Sequence, residues 1–184
     1  KVYGPHLGLM FGRRELLRAA RSPNHFFVPE DAVPVKFEPG NVNYELAASL
    51  VGSTDYLDAL AGRHGVRGLE DAFARIAEHE EELVRPLLAF LAEHPRARLV
   101  GSPASDRAAR VPTVSFTVEG RRSSELTPLL DERSLAARFG HFYAYRLIRD
   151  LGLLERDGVV RVSLLHYNSP REVERLLEAL DELL

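Results

Sequence analysis

The chain contains no cysteine. That absence excludes disulfides, thiolate metal sites and thiol nucleophiles together. Apolar runs are short as well: none approaches the ~18–20 residues that span a bilayer. A basic-then-apolar leader is missing at the N-terminus, so no membrane partner is expected and a cytoplasmic protein is the default. Charge of either sign is not in excess, since 24 basic and 27 acidic residues leave a net charge of −3. Such a balance offers no long-range attraction to nucleic acid, and none is expected as a partner. Glycine-rich phosphate-loop patterns, internal repeats and low-complexity tracts are absent. Lysine is nearly absent too: only Lys1 and Lys36 stand among the 24 Lys and Arg residues. The start lacks an initiator methionine, an entry helix and a capping residue. We therefore expect a fragment of a longer chain, cut just before Lys1.

What is present is ordinary for a soluble globular protein, with 45% apolar and 28% charged residues in 184. That length suffices for one large domain or two small ones. Gly4-Pro5 forces a turn after Lys1, because proline fixes its own φ and pushes the preceding residue away from helix. Residues 7–12 read as a short buried strand, 13–20 as a helix stopped at Ser22-Pro23, and 33–38 as another short strand. Helices are expected over 43–65 and over 69–93, the latter from the spacing of Phe73, Ile76, Leu83, Leu87 and Leu91. Within it, Glu78-His79-Glu80-Glu81-Glu82 reads as a solvated helical face and not as a metal site; no metal is expected.

The texture changes after His94-Pro95. Strands are expected over 98–101, 112–118, 135–139 and 159–164, the second with strict alternation. Helices are expected over 124–133 and 142–151. The last helix opens with Ser169 as N-cap, Pro170 at the first helical position and Glu172 completing a capping box. Residues 96–184 thus form a small α/β domain. Residues 1–95 make no closed core alone and read as the end of something larger.

Four segments carry chemistry. The first is Lys1-Val2-Tyr3-Gly4-Pro5-His6-Leu7-Gly8, a lysine held on a loop ahead of an apolar segment. The second is Phe37-Glu38-Pro39-Gly40-Asn41-Val42-Asn43-Tyr44, a turn opening a helix, where free N–H groups and the helix dipole favour an anion. Third comes Leu135-Ala136-Ala137-Arg138-Phe139-Gly140-His141-Phe142-Tyr143. The fourth runs from Val160-Arg161-Val162-Ser163 through His166-Tyr167-Asn168 to Ser169-Pro170-Arg171-Glu172-Val173. Guanidinium suits carboxylate recognition because its planar fork makes two parallel hydrogen bonds. Each segment alone has a plain structural explanation: a surface lysine, an asparagine N-cap, arginines in ion pairs, a turn into a helix.

In this order, the four resemble the class V aminotransferases and cysteine desulfurases. The resemblance implies an α/β fold of the fold-type I pyridoxal phosphate-dependent transferases, with 1–95 as the end of the large domain and 96–184 as the small C-terminal domain. It implies pyridoxal 5'-phosphate as cofactor and Lys1 as the Schiff-base residue, a role that needs the amine neutral and hence a lowered pKa. Asn41, where the family pattern has threonine, would donate to the cofactor phosphate across the interface of a homodimer. Arg161 would grip the substrate α-carboxylate, Arg138 would be the second active-site cation, and His141 falls on the first histidine of the family's Gly-His-His-Cys stretch. Tyr143 falls on the cysteine that accepts sulfur. A phenol cannot form a persulfide, so the resemblance is to the branch without that cysteine, and the usual desulfurase route is not expected. The reaction implied is chemistry at the α-carbon of an amino acid, as aminotransferase or lyase. The rival is a non-catalytic α/β interaction module with Lys1 and both arginines in surface roles.

Overall fold

The structure is a computed structural model that describes residues 4–38 and 40–184. Lys1 lies outside the described residues. The chain divides into two compact units, one ending at Ala72 and one over Phe73–Leu184.

In the first unit, helix α1 spans Arg14–Ala19, α2 Tyr44–Ser49 and α3 Val51–Arg63. The expected strand over 7–12 is not formed; the segment is irregular, with Leu9, Met10 and Phe11 exposed. The expected strand over 33–38 is instead a 3-10 turn at Val35–Phe37. The physical reason is common to both. A strand needs a neighbour for its backbone groups, and all strand pairing among the described residues lies in the second unit. Instead, Lys36 organises this region. Its side chain is fully buried, and Nζ donates to the carbonyls of Arg18 (3.1 Å), Ala20 (2.7 Å) and Glu30 (2.7 Å). An ammonium has three donors and no acceptor, so three carbonyls satisfy it. The expected single helix over 43–65 is two helices that meet at Leu50, which keeps helical angles of −61° and −25°.

The second unit begins within α4, Leu69–Glu93, whose limits match its apolar periodicity. Strands β1 (Ala97–Val100), β2 (Thr113–Val118), β3 (Arg138–Gly140) and β4 (Val159–Ser163) form one antiparallel sheet in the order β1-β2-β4-β3. Helices α5 (Ser123–Asp131), α6 (Tyr145–Asp150) and α7 (Pro170–Leu183) complete the unit. Successive strand residues point to opposite faces. Val114, Phe116 and Val118 of β2 and Val160 and Val162 of β4 are buried in one cluster with Leu83, Leu87 and Leu91 of α4, Leu126 and Leu130 of α5, and Val173, Leu176 and Leu180 of α7. That is a two-layer α/β arrangement. The start of α7 is as expected: Ser169 Oγ accepts from the Glu172 N–H, and the Glu172 carboxylate accepts from the Ser169 N–H at 2.7 Å.

Two expectations shift at β3. The strand occupies Arg138–Gly140 rather than 135–139, after a left-handed residue at Ser134 (φ +58°). Helix α6 starts at Tyr145 rather than 142, because Phe142 (φ +48°) and Tyr143 (φ +63°) are also left-handed. Behind β3, Gly158 (φ +76°) presses on Gly140: a Cβ there would lie 2.2 Å from the Gly140 carbonyl oxygen.

Gly158→Ala should therefore cost roughly 2–4 kcal/mol, from backbone strain plus displacement of β3. Gly152→Ala, at φ +70° with nothing within 4 Å of the new Cβ, should cost only about 1 kcal/mol. Urea unfolding of both variants measures the difference; equal losses would show that the contact with Gly140 is unimportant.

Candidate active site

Strand β4 is bonded on both edges, and its middle residue is Arg161. In register it faces Ser115 of β2 on one side and Arg138 of β3 on the other. Directly opposed residues of an antiparallel pair share a face of the sheet. Because Val160 and Val162 are in the core, this row lies on the opposite face. Two arginines side by side repel. Among the described residues, neither is in an ion pair; the Arg138 guanidinium donates to the carbonyl of Ala137 at 3.0 Å. Arg161 is half-buried and its guanidinium stacks on the Phe142 ring, 3.8 Å from the centroid. Two adjacent guanidiniums without a carboxylate partner are suited by their chemistry to an anion.

The loop from β3 to α6 frames that row. The Ala144 N–H donates to the His141 carbonyl at 2.7 Å, and the Tyr143 N–H donates to His141 Nδ1 at 3.1 Å. With positive φ at Phe142 and Tyr143, the turn has the φ signs of type I′, a geometry that favours Asn and Gly. Aromatic side chains there cost about 1–2 kcal/mol each. Tyr143 is fully exposed, and the exposed His141 ring meets the edge of Tyr145 at 5.6 Å between centroids. Beside the turn, an open groove of about 740 Å³ is lined by Phe139, Gly140, His141, Phe142, Tyr143, Leu154, Asp157 and Gly158.

The structure thus brings together Arg138, Arg161 and His141, and adds Phe142, which sequence reasoning did not single out. Its signal was present but weak: an aromatic two residues past a glycine that ends a strand. Asn41 is exposed in the other unit, and it is not the helix cap. That position belongs to Asn43, whose side chain accepts from the Leu46 N–H at 2.9 Å.

The turn from β4 to α7 is held by α4. His79 Nε2 lies 2.9 Å from the Asn168 carbonyl, and Asn168 Oδ1 accepts from the Leu165 N–H at 2.8 Å. The acidic run of α4 is not the solvated face expected: Glu78, Glu80 and Glu81 are half-buried, with Glu78 and Glu81 near Arg107 at 3.7 and 4.0 Å. Among the described residues, no group of three or more His, Asp or Glu could hold a metal ion.

Burial raises the Glu80 carboxyl above its ordinary value, against the hydrogen bond from the His166 N–H and the charge of His79. Burial, then His79, lowers His166. The signs oppose each other. A raised carboxyl gives stability that is present below its ordinary pKa and lost as pH rises through its folded value; a lowered histidine gives stability present above its ordinary pKa and lost as pH falls through its folded value.

The arrangement has close relatives among known proteins. The structure covers 82% of this chain in superposition on a cysteine desulfurase from Thermococcus onnurineus NA1, with TM-score 0.67, 29% identity and 33% of that protein covered. This places the chain in the α/β fold of fold-type I pyridoxal phosphate enzymes. A family model described as aminotransferase class-V matches residues 1–176, and the chain belongs to that family. The aminotransferase-like protein FGM3 of Gibberella zeae is 37% identical over 100% of this chain and 44% of its own length. A probable cysteine desulfurase of Pseudomonas putida is 33% identical over 99% of this chain and 43% of its own. The chain spans less than half the length of these relatives. Their family is pyridoxal phosphate-dependent, and pyridoxal 5'-phosphate is the cofactor that membership carries. No helix among the described residues is long and apolar enough to cross a membrane.

Glu80→Gln keeps an acceptor for the His166 N–H and removes the titration. Relative to this variant, the wild type should lose stability as pH rises above 4.5, the ordinary value of the carboxyl. Urea midpoints measured across that range test it; a constant difference would remove Glu80 from the pH response.

Proposed function

We propose that this chain supplies the lysine loop and the carboxylate-binding side of a pyridoxal phosphate-dependent enzyme acting at the α-carbon of an amino acid, as an aminotransferase or lyase. The observation that carries the reading is the Arg138–Arg161 pair: two guanidiniums in register on one face of the sheet, without a carboxylate partner among the described residues. A pair of that kind fits an anionic ligand and leaves an amino acid's carboxylate as the group it would hold. The donors here are cationic or neutral, as a phosphorylated cofactor with a carboxylate substrate requires.

Arg161 takes the substrate α-carboxylate through its planar fork, and Arg138 adds a second positive charge beside it. Asn41 donates an amide N–H to the cofactor phosphate across a homodimer interface, as a neutral donor can. Lys1 would hold the cofactor, and its amine, when free, would take a proton from the substrate α-carbon and return one. The cofactor supplies an electron sink for that carbon. His141 stands at the rim as a donor or acceptor toward the substrate. Tyr143 holds the place of a sulfur-accepting cysteine and leaves no thiol for persulfide formation. In this reading residues 1–95 end the cofactor-binding domain, residues 96–184 form the small domain, and the enzyme is cytoplasmic.

Borohydride reduction of the whole enzyme with pyridoxal phosphate, followed by peptide mass mapping, should place a pyridoxyl group on Lys1. Absence of that adduct would favour the rival, an α/β module without catalysis. Arg161→Ala should raise KM for the amino acid by more than about tenfold, since losing one partner of a charged hydrogen-bonded pair costs about 2–5 kcal/mol. An unchanged KM would take the carboxylate away from Arg161.

A further inference from the structure

We propose that Phe142 is a positioning residue for Arg161: the left-handed turn presents its ring as a platform that holds the guanidinium flat, with its donor edge free for the substrate carboxylate. This rests on the reading of Arg161 as the carboxylate-binding residue.

The backbone of Arg161 is fixed by pairing on both edges and by the burial of Val160 and Val162 on either side. Only its side chain remains to be placed. Arg138 stands directly opposite in register and pushes the guanidinium away. Ser115, its partner on the other edge, carries no charge to hold it. The Phe142 ring, 3.8 Å from the guanidinium carbon, is therefore the described contact on which the guanidinium rests. Stacking on one face leaves the in-plane N–H groups unused, and these are the groups that make a bidentate contact with a carboxylate.

The turn is built for this at a local loss. Phe142 has φ +48° and Tyr143 φ +63°, where glycine or asparagine would be at ease. Backbone strain held at a site by surrounding contacts is a mark of a constrained functional geometry. A residue serving stability alone would not be expected to strain the backbone that carries it. The His141 carbonyl and Nδ1 close the turn through the N–H groups of Ala144 and Tyr143, so the ring cannot relax away without opening both. Phenylalanine has no ionisable proton, so the platform neither repels the arginine nor competes for the carboxylate at any pH.

Two substitutions separate strain from positioning. Phe142→Gly removes the ring and suits the positive φ; Phe142→Tyr keeps a ring of the same kind. Each holoenzyme is titrated with L-alanine, L-cysteine, L-serine and L-aspartate. Binding is followed at the cofactor absorbance, and the thermal midpoint is measured on the same samples. We expect Phe142→Gly to hold or raise the thermal midpoint while weakening amino-acid binding about five- to tenfold. Phe142→Tyr should stay within twofold of wild type. In an Arg161→Ala background, Phe142→Gly should weaken binding no further. Unchanged binding in Phe142→Gly, a further loss in the Arg161→Ala background, or a Phe142→Tyr variant as weak as Phe142→Gly would each overturn the assignment. Should Arg161→Ala itself bind all four amino acids normally, the carboxylate reading of Arg161 falls first and Phe142 with it. If Arg161→Ala is weak and Phe142→Gly is not, the reading of Arg161 survives and only the platform fails.

Discussion

Strand β4 is the element on which the site depends, because it is hydrogen-bonded on both edges and packed on one face. Val160 and Val162 reach into the core with Phe116 and Leu126, and Arg161 between them has no choice but the other face. Burying each valine contributes on the order of 1.5–3 kcal/mol, whereas a guanidinium in that core without a partner would cost several kcal/mol. A slip of one residue would exchange the two faces entirely. The position of the arginine is thus decided by hydrophobic packing on the side it does not use.

The same register makes a local liability. Arg138 is placed opposite Arg161, and the positive potential between them is relieved only by an anion or by separation of the side chains. The turn that follows β3 adds a second unfavourable element, with two aromatic residues in left-handed backbone. Both are tolerated because the surroundings are firm. Gly140 is pressed by Gly158, the turn is closed by His141, and the strand beneath is anchored in the core. Local strain concentrated in one loop over a well-packed sheet is the pattern expected of a site that must be preorganised.

The first unit works on a different principle. Its segments at 7–12 and 33–38 have strand-like composition but no strand beside them among the described residues, so they stay irregular or turn. What ties residues 18–36 together is polar: the ammonium of Lys36, buried under three carbonyls that a helix end and a loop would otherwise leave to solvent. With only two lysines in the chain, one serves this structural clasp and the other, Lys1, is the residue proposed to hold the cofactor.

By itself, the sequence determined what depends on near neighbours: the long periodic helix α4, the capped start of α7 at Ser169, Pro170 and Glu172, the alternating strand β2, and, through four ordered segments, the family. These are written within a few residues of one another, in apolar spacing and in hydrogen bonds from a side chain to its own turn. Only the tertiary structure decided that Arg138 and Arg161 stand in register, that Phe142 stacks on the latter, that Asn43 rather than Asn41 caps its helix, and that Lys36 is buried. Strand register and left-handed turns are set by the balance of contacts between distant segments. A three-residue edge strand and a strained turn have too little local preference of their own to announce where that balance will fall.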